Sequence, residues 1–576
     1  MSTITAAAAP RGLRRLWQRQ LPHYPDTARR MSYLAITIVA TITLYYALFI
    51  QGAVAPKIIA QYHFSFAQFV GIVAIGATFG AFASLAAGLA DRWGRANLVV
   101  GGLLLTGVLV TFAMPNASGK AEYAVYYALV SIVEGICLVA TPALIRDFSP
   151  QVGRAAAMAF WTMGPVLGSL VVTEVSSHTL PSHPDWRYQF QLCGVVTLAV
   201  WVIALIGLRE LSPRLRDQLM VSLRDRALVE ARAAGIDPDR ALEGHWRQML
   251  RVNITGSAVA ISLFLVLFYV LTAFAVVFLG TVFGYPAARA NAVANWYWIT
   301  AAVTMLVIGF ASDRVLVRKP FMVAGAVISL AGSALLAVTT THPHTGYYTF
   351  ALSFVLLAAG FGLVFPSWMA GFTETVEKRN PAATATGLAL WGWTVRIVTV
   401  ASFLLLTVVV PSTSTLVDKG ARVQAIAAAY PGQVQVLQSV DPATLAALKA
   451  DPASRAAAAT AAGEISARFG IGPAQAAARL ASLSAVPPAD LAYLSANAPS
   501  VAQAAQDNPG QWRTWWWICF LCQLVFIPFV FIMAGHWNPR TARAEEHEHE
   551  RMVARELALL NTTPATPQTQ AREVGQ

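Results

Sequence analysis

Ala87-Gly-Leu-Ala-Asp-Arg-Trp-Gly-Arg-Ala96 sets an aspartate and two arginines between two long apolar runs, and Gly309-Phe-Ala-Ser-Asp-Arg-Val-Leu-Val-Arg318 repeats its outline in the second half of the chain. A short charged knot repeated between greasy segments belongs to a chain that crosses a bilayer several times, because each apolar run must end where the chain meets water.

The composition agrees. Of 576 residues, 56% are hydrophobic and only 12% charged, and the mean hydropathy is +0.55, which is more apolar surface than a soluble chain of this length can cover. The net charge of +12 is spread over loops and not gathered on one face, so no nucleic-acid partner is expected. Cys137, Cys193, Cys519 and Cys522 all lie in apolar runs. That placement argues against a disulfide framework or a zinc site, and Cys519-x-x-Cys522 reads as two small residues on a buried helix. No catalytic constellation is visible, so the chain reads as no enzyme, with no cofactor and no metal.

Counting apolar runs long enough to cross roughly 30 Å of hydrocarbon gives twelve spans. The first six centre on 32–55, 67–90, 97–115, 122–145, 156–175 and 190–208, and the second six on 254–282, 291–312, 320–340, 347–371, 386–411 and 514–535. The fold expected is therefore all-α: a polytopic membrane protein of twelve helices in two six-helix pseudo-repeats, with an α-helical extracytoplasmic insert. The divisions expected are a tail over 1–31, a first half over 32–209, a linker over 210–252, helices seven to eleven over 253–411, the insert over 412–511, the twelfth helix over 512–536 and a tail over 537–576. With both termini placed inside, 29 of the 41 Lys and Arg fall on the inner side. That asymmetry predicts cytoplasmic termini and a plasma, or inner, membrane location. The long apolar first run also predicts an uncleaved first span.

The stretch from Arg209 to Arg251 is rich in Arg with interspersed acids and reads as a helical linker. The insert is Ala-rich, with helix starts expected at Asp451-Pro452, Gly472-Pro473 and Pro487-Pro488 and stops at Gly470 and Gly510. It reads as a small helical cap able to dock a protein partner. In the C-terminal tail, Glu545-Glu-His-Glu-His-Glu550 reads as a solvated helix end.

Both charged loops resemble the signature loop of the major facilitator superfamily, Gly-x-x-x-Asp-Arg-x-Gly-Arg-(Arg/Lys), which joins the second helix to the third and, in weaker form, the eighth to the ninth. Departures are Ala87 at the leading Gly, Ala96 at the last basic position, and Leu316 at the second loop's Gly. Arg146-Asp-Phe-Ser-Pro-Gln-Val-Gly-Arg154 is similar to the family's turn after the fourth helix. The resemblance implies a secondary transporter of a small organic solute that works by alternating access as a monomer. It makes Asp91, Arg92, Gly94, Arg95, Asp313, Arg314, Arg146, Asp147 and Arg154 a conformational latch. Gly164-Pro165-Val-Leu-Gly168-Ser169 resembles the Gly-Pro-x-x-Gly-Gly core of the antiporter motif on the fifth helix. That tilts the expectation toward proton-coupled efflux. The arginine that the family often carries on the fourth helix is Ser131 here, with Glu134 beside Gly135.

Charges at membrane depth are costly and mark function. Glu134 and Arg396 are the two that fall near the middle of a span. A carboxyl out of bulk water can hold and release a proton, which makes Glu134 the candidate proton carrier. A guanidinium stays charged, so Arg396 must face a cavity, an anion or a carboxylate. It is either the anchor of an anionic substrate or the counter-ion of Glu134. Tyr45, Gln51, Trp161, Tyr269, Trp368 and Trp391 are candidate cavity-lining residues, from which an amphiphilic or aromatic solute follows. Gly76, Gly80, Ser84 and Gly88 recur every four residues and predict one close-packing stripe. Two rival readings are a symporter importing an organic anion and a non-transporting receptor or assembly protein acting through 412–511.

Overall fold

A computed structural model describes residues 19–84, 94–149, 162–212, 215, 245–379, 384–451 and 453–562. The architecture is a bundle of long apolar helices, as a chain in hydrocarbon requires, since each helix satisfies its own backbone polar groups. In the first half these are α1 (Thr27–Ala53), the short α2 (Ala55–Tyr62), α3 (Phe66–Ser84), α4 (Arg95–Val108), α5 (Lys120–Phe148), α6 (Gly164–Thr179) and α7 (Trp186–Gly207). A widened π turn, Leu109–Ala113, prolongs α4. The second half has α8 (Ser257–Phe264) and α9 (Val266–Phe283) as one broken span, then α10 (Ala287–Val315), α11 (Lys319–Thr339), α12 (Tyr347–Glu377) and α13 (Thr384–Val409). Eleven helices among the described residues are long and apolar enough to cross a membrane. The twelve expected spans include a fifth over 156–175, of which the structure describes the part from Thr162 onward, and α6 begins at Gly164.

Beyond α13 come the turns Pro411–Thr415 and Leu416–Gly420, then α14 (Ala421–Ala429), α15 (Pro431–Ser439), α16 (Pro442–Ala450), α17 (Arg455–Phe469), α18 (Pro473–Ala481) and the 45-residue α19 (Pro488–Ile532). Five of the helical starts carry Pro in the first turn, where its missing N–H costs nothing. The insert has its own small core of Val436, Val440, Ala461, Ile465 and Ala476. Two expected boundaries are corrected. Gly510 does not stop a helix: α19 runs through it. A helical Gly costs only about 1 kcal/mol, and burial of Trp512, Trp515 and Trp516 two to six residues on outweighs that. The expected boundary between the insert and the twelfth helix, at 511/512, therefore falls inside one continuous helix. Nor does Asp451 start a helix. It closes α16, and α17 begins at Arg455 with the Ser454 hydroxyl accepting from the Ala457 N–H. Gly470, left-handed at φ +64, ends α17 as expected from its sequence.

The bundle has two ends. The insert end carries Ala53, Phe66, Lys120, Ala287 and residues 411–511. The linker end carries Arg95, Asp147, Glu210, Arg318 and Glu374. The linker itself is largely outside the described residues. What is described of its start forms a feature the all-α expectation did not contain: Gln20–Leu21 (β1) and Glu210–Leu211 (β2) pair in parallel. Arg19, 2% exposed, donates to the carbonyls of Ala204, Leu205 and Leu208. It thereby adds a charged donor to the carbonyls at the C-terminus of α7 and complements the helix dipole. The tail helix α20 (Pro539–Thr562) follows the last span.

Candidate functional site

At the linker end the signature-loop residues do two different things. Gly94 precedes α4 with φ +89 and ψ +136, a conformation that essentially only Gly adopts. Its missing Cβ leaves room for the Glu210 carboxylate, which a side chain there would overlap. That carboxylate accepts from the N–H groups of Arg95 at 2.6 Å and Ala96 at 3.3 Å, capping α4. The Arg95 guanidinium reaches Asp147 at the end of α5 at 2.7 Å. In the second half, Arg318 before α11 meets Glu374 near the end of α12 at 3.2 Å and the Ser312 hydroxyl at 2.6 Å. Each half therefore ties its own third helix to its own fourth by an arginine and a carboxylate. Asp91, Arg92, Arg154 and the side chains of Arg146 and Asp313 lie outside the described residues, and Arg314 is exposed.

Deeper in the bundle, Glu134 stands at the midpoint of α5 and Arg396 at the midpoint of α13. Glu134 is 5% exposed and its Oε1 has no hydrogen-bond partner among the described residues. The two side chains come from opposite halves and are close enough to act on each other's charge, and Tyr45 and Tyr269 lie in the same field. This brings one carboxyl, one guanidinium and a phenol from each half into one electrostatic neighbourhood inside the bundle.

The Gly164-Pro165-x-x-Gly168 stretch explains how Tyr45 is placed. A Cβ on Gly168 would come within 2.5 Å of the Tyr45 Cβ, and one on Gly164 within 3.3 Å of its ring. The glycines let α6 press directly on the α1 backbone at this tyrosine. Pro165, in the first turn of α6, removes a donor that would otherwise be unsatisfied. The small-residue stripe on α3 serves packing: Gly76 and Gly80 face Tyr127 and Ser131 of α5.

The second half presents an aromatic wall to this centre. Tyr269 contacts Phe268 at 5.1 Å, Phe268 stacks on Phe361 at 5.1 Å, Phe361 on Phe365 at 5.5 Å, and Phe365 meets Trp391 at 6.0 Å. Tyr45, Tyr269, Phe365 and Trp391 are half-buried, as residues bordering a space between helices would be. Two of the six expected lining residues are buried in this conformation. Gln51 is buried and accepts from the Tyr123 hydroxyl inside the first half, and Trp368 is fully buried with its Nε1 donating to Ser257. Both have their polar groups satisfied within one half, and Trp368 packs behind Trp391 with ring centroids 5.4 Å apart. Trp161 lies outside the described residues.

Hydrogen bonds between the halves gather at the insert end. Asn291 donates to the carbonyl of Ala53, and Asn295 to Glu174 at 2.5 Å and to Ser177 at 3.3 Å. A small cavity lined by Phe49, Ser169, Ala275, Asn291 and Trp298, among others, lies just below these contacts. Sequence reading missed Glu210, Arg19, Glu374 and Glu174. The three glutamates sit near helix ends, where an acid is ordinary, and Arg19 is one of several arginines ahead of the first span, so no local signal singled any of them out.

A family model described as Major Facilitator Superfamily matches residues 37–399. No curated protein matches the chain by sequence. Among solved structures, a bacterial homolog of the human lysosomal transporter Spinster, inward-facing and unoccupied, aligns at TM-score 0.53 and 16% identity, covering 88% of this chain and 99% of that one. A D-xylose-proton symporter aligns at TM-score 0.50 and 17% identity over 65% of this chain and 90% of its own. At these identities the likeness is one of fold.

Proposed function

The chain belongs to the major facilitator superfamily, and on that premise we propose that it carries a small organic solute by alternating access, coupled to protons held and released at Glu134. The observation that carries this reading is that Glu134 and Arg396, one from each half and each at the middle of its helix, lie within range of each other's charge. A carboxyl beside a guanidinium favours the charged form, and the same carboxyl parted from it in a low-dielectric site favours the neutral one. Rocking of the two halves changes that separation, so the proton affinity of Glu134 follows the conformation. That is what coupling requires.

The basic-residue asymmetry supports placing the linker end in the cytoplasm of a plasma, or inner, membrane. With hydrogen bonds joining the halves at the insert end, the conformation is then sealed to the outside. The aromatic wall suits an amphiphilic or aromatic solute. The glycines against Tyr45 match the antiporter-like motif in place, which favours efflux. The second reading, an imported organic anion, rests on Arg396 as the anion's anchor.

The test is flux in proteoliposomes with an imposed pH gradient, using a panel of aromatic cations, neutral amphiphiles and organic anions. Gradient-driven movement of one class, lost in Glu134→Gln, supports the proposal. Movement of a solute that ignores the gradient in the unaltered protein defeats proton coupling.

A further inference from the structure

One residue of the insert reaches across to the first half. Asp418, in the turn Leu416–Gly420, accepts a hydrogen bond from the backbone N–H of Phe66 at 2.8 Å. Phe66 is the first residue of α3, where backbone donors lack partners inside the helix and the dipole favours a negative charge. The local cap does not use this donor. Ser65 and Gln68 satisfy each other instead: the Ser65 hydroxyl accepts from the Gln68 backbone N–H, and the Gln68 side-chain amide oxygen accepts from the Ser65 backbone N–H. The Phe66 N–H is thus left for a partner from the other half.

The Phe66 side chain is held by that half as well. Its ring is fully buried and meets Phe274 of α9 edge-on at 5.7 Å, and Phe274 meets Phe403 of α13 at 5.3 Å. Backbone and ring of one residue at the tip of α3 are therefore both fastened to the second half, and the backbone contact comes from the insert. If the insert end opens, the tip of α3 must leave Phe274 and give up Asp418 together.

We propose that Asp418 is a latch carried by the insert that holds the insert end shut, so that the insert is part of the gate. The proposal rests on the alternating-access reading but is tested without any solute. The reporter is Ala275→Cys in the full-length protein in detergent. Ala275 is 5% exposed and lines the small cavity between the halves. Cys137, Cys193 and Cys519 are buried, and the partly exposed Cys522 is silenced by Cys522→Ser. Labelling by a bulky polar maleimide then reports opening.

In Asp418→Ala the labelling rate is expected to rise about five- to tenfold, the loss of one capping acceptor. In Asp418→Asn, which keeps an acceptor oxygen, the rate stays near that of the unaltered protein. An unchanged rate in Asp418→Ala overturns the latch, and an equal rise in both variants overturns the hydrogen-bond mechanism. Asp418→Leu, which likewise lacks an acceptor, provides the same comparison where the Ala variant does not purify folded. As an independent readout, spin labels at the exposed positions Ala121 and Gln424 should show a longer-distance population in Asp418→Ala. Identical distance distributions also overturn the latch. Absence of solute flux would sink the transport reading, whereas these measurements concern the latch alone.

Discussion

Gly94 and Leu316 hold equivalent places in the two charged loops and both turn the backbone to positive φ, at +89 and +59. Their ψ values separate them. Leu316 lies at ψ +22, in the left-handed well that a residue with a Cβ enters for about 1–2 kcal/mol. Gly94 lies at ψ +136, where a side chain meets both its own backbone and the Glu210 carboxylate. The second loop can therefore lose its glycine while the first cannot.

Gly94→Ala should lower the stability of the purified protein by about 2 kcal/mol, the cost of a forbidden conformation, with the Glu210 cap displaced. Leu316→Gly should stay within about 1 kcal/mol, because relief of the left-handed strain offsets the lost side-chain contact and the extra chain entropy. Thermal unfolding in detergent measures both. Equal losses in the two variants would show that the two loops share one conformational demand.

Glu134→Gln keeps the shape and removes the titrating proton. Solute flux down its own gradient is expected to persist, while the response to an imposed pH gradient vanishes. Reconstituted vesicles with and without the gradient make the comparison. Coupling that survives the substitution would move the proton site elsewhere.

Arg396→Ala should abolish coupled flux and Arg396→Lys should retain part of it, since a lysine keeps the charge and loses the planar fork. If Arg396 serves Glu134, the double variant Glu134→Gln/Arg396→Ala should be no worse than Arg396→Ala alone. If it anchors an anion, the double variant should bind that anion as poorly as the single one, with at least a tenfold loss of affinity for a charge-assisted contact.

Gly168→Leu forces α6 away from the α1 backbone at Tyr45. Overpacking of this kind costs about 1–3 kcal/mol. Transport should fall more steeply than stability, because the displaced tyrosine belongs to the central group. Gly168→Ala is the milder step, and an active Gly168→Leu protein would remove Tyr45 from the machinery.

Much of this was legible along the chain, and the reason is the solvent. Hydrocarbon demands long uninterrupted apolar helices, so apolar runs announced the spans, and the cost of a buried charge drew attention to Glu134 and Arg396. The family likeness was readable from the Asp-Arg loops because charged turns between apolar spans have few alternatives. What stayed hidden was pairing across distance. Nothing near Glu210 in the sequence indicates that it caps the helix beginning at Arg95, and nothing near Asp418 points to Phe66. Gln51 and Trp368 looked like lining because polarity and aromaticity are visible in sequence while the partner that satisfies them is not. The stop expected at Gly510 failed for a related reason. Local propensity is weighed against tertiary burial, and three tryptophans outvoted one glycine.

The unbroken helix from Pro488 to Ile532 has a mechanical meaning. Forty-five residues at 1.5 Å each make a shaft of about 68 Å, about twice the thickness of the hydrocarbon it enters. The lever arm outside is as long as the one inside. Pro509 and Gly510 sit where the two arms meet, and a proline inside a helix removes a hydrogen bond and favours a kink, so a load on the insert reaches the final span through this one bend, and motion of that span swings the insert in return.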